Sequence, residues 1–108
     1  MSKYGNIKTR VGDLVFDSKK EAERYTILRL MERAGQIKDL RMQVPFELVP
    51  KQTAPDGKSV RPIVYKADFC YYDYKGYHVE DVKGTRTKEY RIKKKLMLHV
   101  HGIWIEEV

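Results

Sequence analysis

Asp68, Asp81 and Lys83 are the residues best placed by type and spacing to do chemistry together. They lie in a segment, Asp68 to Lys83, that reads as a hairpin closed by Asp73-Tyr74-Lys75-Gly76. Strand side chains alternate, so Asp81 and Lys83 share a face and Glu80 points to the other. The register decides what they meet. A loop of Asp73 to Gly76 pairs Tyr72 with Tyr77 and sets Asp68 opposite Asp81; a loop of Lys75-Gly76 alone sets Asp68 opposite Lys83. Both arrangements gather the trio on one face, and a three-residue loop would break it up. Opposed carboxylates repel. A hard divalent cation resolves that conflict: Mg²⁺, with Mn²⁺ as a substitute, takes carboxylate oxygens and keeps waters for a phosphate. The carbonyl of Val82 is a further candidate ligand. Lys83 can position or help deprotonate a water, or stabilise charge on a phosphate in flight.

Flanking elements must position this hairpin. Residues 1–13 are polar and basic and read as a loose arm. Ser18 and Glu21 have capping-box spacing ahead of a helix with Ala22, Tyr25, Leu28 and Met31 on one stripe, and Gly35 is a natural stop. Glu21 borders the buried stripe of that helix and looks toward the sheet. A strand from Leu40 to Leu48 follows, and Pro45, lacking an N–H, puts it at a sheet edge or at a bulge. On it, Gln43 can hydrogen-bond a water or a phosphate. Residues 50–62 read as a long hairpin loop. Ile63 to Tyr72 is a second strand, with Ile63, Tyr65, Ala67, Phe69 and Tyr71 on one apolar face, and Tyr77 to Lys83 is a third. Glu80 faces the apolar side and needs a partner there. Thr85 or Thr87 can cap a second helix running to about Val100, with Ile92, Leu96 and His99 inward and Arg91, Lys94 and Lys95 outward. After Gly102, Ile103-Trp104-Ile105 reads as the last strand. The order is αβββαβ, an α+β fold in one domain spanning residues 1–108.

The chain carries 22 Lys and Arg against 15 Asp and Glu, a formal charge of +7. Most of that excess sits in Lys83, Arg86, Lys88, Arg91, Lys93, Lys94 and Lys95, opposed there only by Glu89. A localised basic stripe in an otherwise balanced chain points to a polyanion, most often nucleic acid. Lys88, Tyr90, Arg91, Lys94 and Lys95 are the candidates for phosphate-backbone contacts, which fix position without reading sequence. A single cysteine, Cys70, excludes an intrachain disulfide and a cysteine-based zinc site. No stretch reads as a signal peptide or a membrane span, so the expected compartment is the cytoplasm, with no membrane partner.

An Asp on one strand followed by Asp-x-Lys on the next, within an αβββαβ order, resembles the PD-(D/E)XK nuclease superfamily. The two halves here are Ala67-Asp68 and Asp81-Val82-Lys83. The chain is most similar to small phage-encoded nucleases of the Holliday-junction-resolvase kind, from about Phe16 to Ile105. It departs from them at Ala67, where the motif name has Pro, and in the doublet Glu80-Asp81. Spacing to Lys83 favours Asp81, and a bulge would bring Glu80 forward instead. The resemblance implies a restriction-endonuclease-like, sandwich-like core: a mixed central sheet flanked by two helices. It implies a Mg²⁺-dependent endodeoxyribonuclease, selective for the structure of branched or duplex DNA, with Glu21 as a further metal-shell carboxylate. It also implies a homodimer, a role in phage replication or recombination, and a place in the host cytoplasm. The competing expectations are a non-catalytic nucleic-acid-binding module and a small interaction subunit of a phage replication complex.

Overall fold

The computed structural model describes residues 7–82 and 86–108. An antiparallel hairpin comes first, β1 (Thr9–Val11) and β2 (Leu14–Phe16), turning at Gly12 with φ +59°. Part of the expected loose arm is therefore ordered. Val11, Leu14 and Phe16 give it a side that packs into the core, and that apolar anchorage holds the basic strand down.

The first helix, α1 (Lys19–Arg33), starts where its cap does: Ser18 Oγ accepts the Glu21 N–H at 3.1 Å. It ends at Ala34, with Gly35 at φ +77° and the Gln36 N–H on the Met31 carbonyl at 2.9 Å. Next come β3 (Lys38–Val49), the short pair β4 (Gln52–Thr53) and β5 (Ser59–Val60) inside the expected long loop, then β6 (Ile63–Asp73) and β7 (Gly76–Asp81). The second helix, α2 (Lys88–His101), is capped by Thr87, whose hydroxyl accepts the Tyr90 N–H at 3.1 Å. The chain closes with β8 (Glu106–Glu107).

The central sheet has the order β3-β6-β7-β8. Its first three strands are antiparallel and β8 runs parallel to β7, so the sheet is mixed and the fold is α+β. Pro45 lies on the edge strand β3, where its missing N–H leaves no ladder bond broken on the open side. The last strand departs from expectation. Ile103, Trp104 and Ile105 form the approach, with Ile105 buried, and the ladder to β7 forms at Glu106 and Glu107. Ile105 is needed in the core, so the pairing is displaced to the acidic residues behind it.

The helices cover opposite faces of the sheet. Phe16, Ala22, Leu28, Ile37, Phe69 and Tyr71 pack together beneath α1. Leu48, Tyr65, Ala67, Cys70, Val79, Tyr90, Met97 and Ile105 pack beneath α2. Fully burying a residue such as Leu28 or Phe69 contributes about 1.5–3 kcal/mol. The apolar face expected along the whole of β6 is thus divided: Tyr65 and Ala67 face α2, whereas Phe69 and Tyr71 face α1. On β3 the same division separates Val44 and Phe46 from Leu40 and Met42. Both strands change sides between the pairs Val44–Ala67 and Met42–Phe69, with no slip in register. Gln43 sits at that level with φ +52°, a left-handed backbone that lets the pleat of β3 turn over there.

Candidate active site

Three carboxylates from three elements lie in one neighbourhood where the strands change sides. Glu21 belongs to the first turn of α1 and is buried; Asp68 lies on β6 at the level of Gln43; Asp81, also buried, is the last residue of β7. Gln43 Nε2 donates to Glu21 Oε1 at 3.2 Å and to Asp68 Oδ1 at 3.3 Å. The Val82 N–H donates to Asp68 Oδ2 at 2.8 Å, and the Tyr65 hydroxyl to Asp81 Oδ2 at 2.6 Å. Burial, followed by the charges of Asp68, Asp17 and Asp81, pushes the Glu21 carboxyl up to about 7, against a smaller opposing pull from Gln43. Burial and the hydrogen bond to Asp81 likewise raise the Tyr65 hydroxyl above its ordinary value.

The hairpin register produces this arrangement. Tyr72 pairs with Tyr77, and Asp73 with Gly76, leaving Tyr74-Lys75 at the tip. Asp73 Oδ1 accepts the Lys75 and Gly76 N–H groups at 2.8 and 3.2 Å, and Gly76 has φ +131°. The ladder ends with Phe69 opposite Glu80, and Asp68 and Asp81 are the residues that follow that last pair, one on each strand. Lys83, expected on the same face, lies outside the described residues.

Glu80 takes the other side of β7. Arg24 Nε and Nη2 grip its two oxygens at 2.8 and 2.6 Å, and the Tyr71 hydroxyl donates to Oε2. The buried carboxylate is thereby paired and hydrogen-bonded. It faces α1, apart from Asp81, and its contacts are those of a structural ion pair.

The basic helix is divided in its roles. Tyr90 and Met97 are its buried residues, whereas Ile92, expected inward, is 59% exposed and His99 is exposed too. The inward stripe passes through Tyr90, Lys94 and Met97, two residues and so about half a turn from the one expected, because Tyr90 packs near Tyr65 and its hydroxyl reaches Glu107; of the expected stripe, Leu96 stays partly buried against the core. Glu107 Oε2 accepts from Tyr90 at 2.9 Å and from Lys94 at 2.8 Å, and its Oε1 from Arg86 Nε at 2.7 Å. Hydrogen bonds from Lys94 and Arg86 hold the Glu107 carboxyl down at about 2. Lys94 also lies 4.2 Å from the centre of the Trp104 ring. Tyr90 and Lys94, both candidates for phosphate contact, are thus engaged with a carboxylate of the chain itself. Lys88, Arg91 and Lys95 remain exposed.

The donor set suits a hard divalent ion: carboxylates of Glu21, Asp68 and Asp81, with the Val82 carbonyl in the same stretch. The raised Glu21 carboxyl reflects its burial first and the neighbouring Asp68, Asp17 and Asp81 charges second. Among the described residues, no three His, Cys, Asp or Glu side chains are grouped closely enough to hold an ion as they stand. The Gln43 amide supplies the positive ends of its N–H dipoles to two of the carboxylates in that arrangement.

Sequence reasoning does not find Tyr65, Arg24 or Glu107 as parts of this region. Tyr65 reads as one more apolar strand residue, although a tyrosine hydroxyl buried in a core needs a partner. The demand of Glu80 for a cation is legible, but not that Arg24 answers it.

Among the described residues, no helix is long and apolar enough to cross a membrane. A family model described as "Protein of unknown function (DUF1064)" matches residues 1–106. No curated protein and no solved structure matches the chain significantly.

Proposed function

We propose that this chain, which belongs to the DUF1064 family, is a divalent-metal-dependent nuclease that hydrolyses phosphodiester bonds in DNA. The supporting observation is that Glu21, Asp68 and Asp81 lie in one neighbourhood, where burial and then the neighbouring charges push Glu21 up to about 7, and a bound ion would have to draw them closer than they stand. Mg²⁺ or Mn²⁺ held by these carboxylates and the Val82 carbonyl would supply a Lewis acid and lower the pKa of a water. The chain's own residues do the rest. Tyr65 holds Asp81 in orientation through its 2.6 Å hydrogen bond. The Gln43 amide, once its two carboxylates engage a cation, offers its N–H groups to a phosphate oxygen or a water. Lys83, two residues after Asp81, brings positive charge to the phosphate as its charge builds. Lys88, Arg91 and Lys95 are the exposed bases for the phosphate backbone. The resemblance extends the reading to a structure-selective endonuclease of branched DNA, acting as a homodimer in phage recombination within the host cytoplasm.

The experiment is cleavage of plasmid and four-way-junction DNA with Mg²⁺ or Mn²⁺, comparing the natural chain with Asp81→Ala and Lys83→Ala. Metal-dependent cutting should drop by roughly 100-fold or more in both variants; cutting that survives both changes sinks the assignment. A second reading, a DNA-binding module without catalysis, is favoured by the lack of a metal-ready trio among the described residues. Calorimetry separates the two. Weak Mg²⁺ binding that disappears in Asp68→Ala supports the nuclease, and DNA binding with no metal heat supports the module.

A further inference from the structure

Beside the carboxylates lies a cavity of about 320 Å³ with walls of Leu14, Phe16 and Met42 and a polar rim of Asp17, Glu21 and Gln43. Phe16 is fixed in place by its ring contact with Tyr25, centroids 5.0 Å apart, so this wall is rigid. Two of the rim residues, Glu21 and Gln43, also belong to the carboxylate cluster. Whatever occupies the cavity therefore adjoins the group the cluster acts on.

We infer that this cavity receives an unstacked nucleobase of the nucleotide next to the scissile phosphate. This rests on the nuclease reading and adds to it a recognition element. Charge and shape choose the occupant. Asp17 and Glu21 line the space, and carboxylates there repel a phosphate and suit the exocyclic amines and ring N–H groups of bases. Apolar walls accept the faces of a flat ring, and the space exceeds one base in volume. Nothing at the rim reads a full base-pair pattern, so a base is accepted for being out of the stack more than for its identity. Unstacking is cheapest where a strand is already unpaired or branched. A pocket of this kind therefore yields selectivity for DNA structure without a sequence code.

The test places 2-aminopurine singly at successive positions around the branch of a four-way junction. Emission is measured at saturating protein without divalent metal. Bound natural protein should brighten at least one position several-fold, and Leu14→Trp should abolish that rise. Leu14 forms part of the wall and is only half-buried, so a bulky ring there fills the cavity. Asp17→Lys, at an exposed lining position, should do the same and serves if Leu14→Trp fails to fold. Bound DNA with no brightened position, or equal brightening in the folded variants, overturns the pocket assignment. A change of molecular mass in Leu14→Trp by light scattering also overturns it, by giving the cavity to a second copy. Brightening without metal-dependent cleavage leaves the pocket standing and removes the nuclease reading. A chain that binds no DNA loses both.

Discussion

Tyr65 and Asp81 face each other across the α2 side of the sheet, joined by a 2.6 Å hydrogen bond from a hydroxyl to a buried carboxylate. Tyr65→Phe removes one buried hydrogen bond to a carboxylate and should lower stability by about 1.5–3 kcal/mol. Because the bond also orients a proposed metal ligand, the variant should need more Mg²⁺ for half-maximal cleavage. Chemical denaturation and a Mg²⁺ titration read the two effects separately. A stability loss with an unchanged Mg²⁺ requirement would reduce Tyr65 to a structural part.

The Arg24–Glu80 pair makes a contrasting prediction. Arg24→Ala strands a carboxylate that is 1% exposed, and breaking such a pair costs about 3–5 kcal/mol. Arg24 is itself partly exposed, so the lower end applies. Adding Glu80→Gln should recover much of the loss, as a urea double-mutant cycle would measure. Metal binding by calorimetry should be the same in the folded double variant as in the natural chain.

Glu21 ties stability to pH with a definite sign. Its folded pKa of about 7 stands above the ordinary 4.5. Between those values the folded chain keeps a proton that the unfolded chain has released. The stabilisation is therefore full below about 4.5 and fades as pH rises through 7. Relative to Glu21→Gln, the natural chain should lose on the order of 2 kcal/mol between pH 5 and pH 8. Urea midpoints of both proteins at the two pH values measure it. Added Mg²⁺ should restore the natural chain at pH 8 and stabilise the variant less, since Asp68 and Asp81 remain in it.

The basic helix should divide by experiment as it does by contact. Lys88→Ala, Arg91→Ala and Lys95→Ala should each weaken DNA binding and lower the salt slope by roughly one. Lys94→Ala should instead shift the denaturation midpoint, since its ammonium is joined to Glu107 at 2.8 Å. Fluorescence anisotropy across a salt series, run beside urea melts, sorts the four residues.

Much of the frame can be read directly from residue types. Ser18 caps α1 through its own hydroxyl, Gly35 follows the helix end with positive φ, and Pro45 lies on an edge strand. The carboxylate level also follows from local chemistry, because the Asp73 side chain folds the turn that fixes the register. What stays hidden is long-range or conformational. Nothing in the type of Gln43 announces φ +52°, yet that angle lies at the level where β3 and β6 pass from one core to the other. Glu106 and Glu107 lie beyond the strand expected at Ile103-Trp104-Ile105, yet it is they that pair with β7, which brings Glu107 to Arg86, Tyr90 and Lys94. The stripe of α2 then follows that partner and not its own hydropathy, which leaves Ile92 outside.

The reversal at Gln43 bears on how the chain finds its fold. An ordinary amphipathic strand pair can slide by two residues and still show each side the same character. β3 and β6 cannot. A two-residue slide would set Val44, which belongs to the α2 core, against Phe69, which belongs to the α1 core. The inversion works as an index mark on both strands, and the marks coincide in one alignment only. The polar residues that frame the carboxylates thus also proofread the threading of the sheet that carries them.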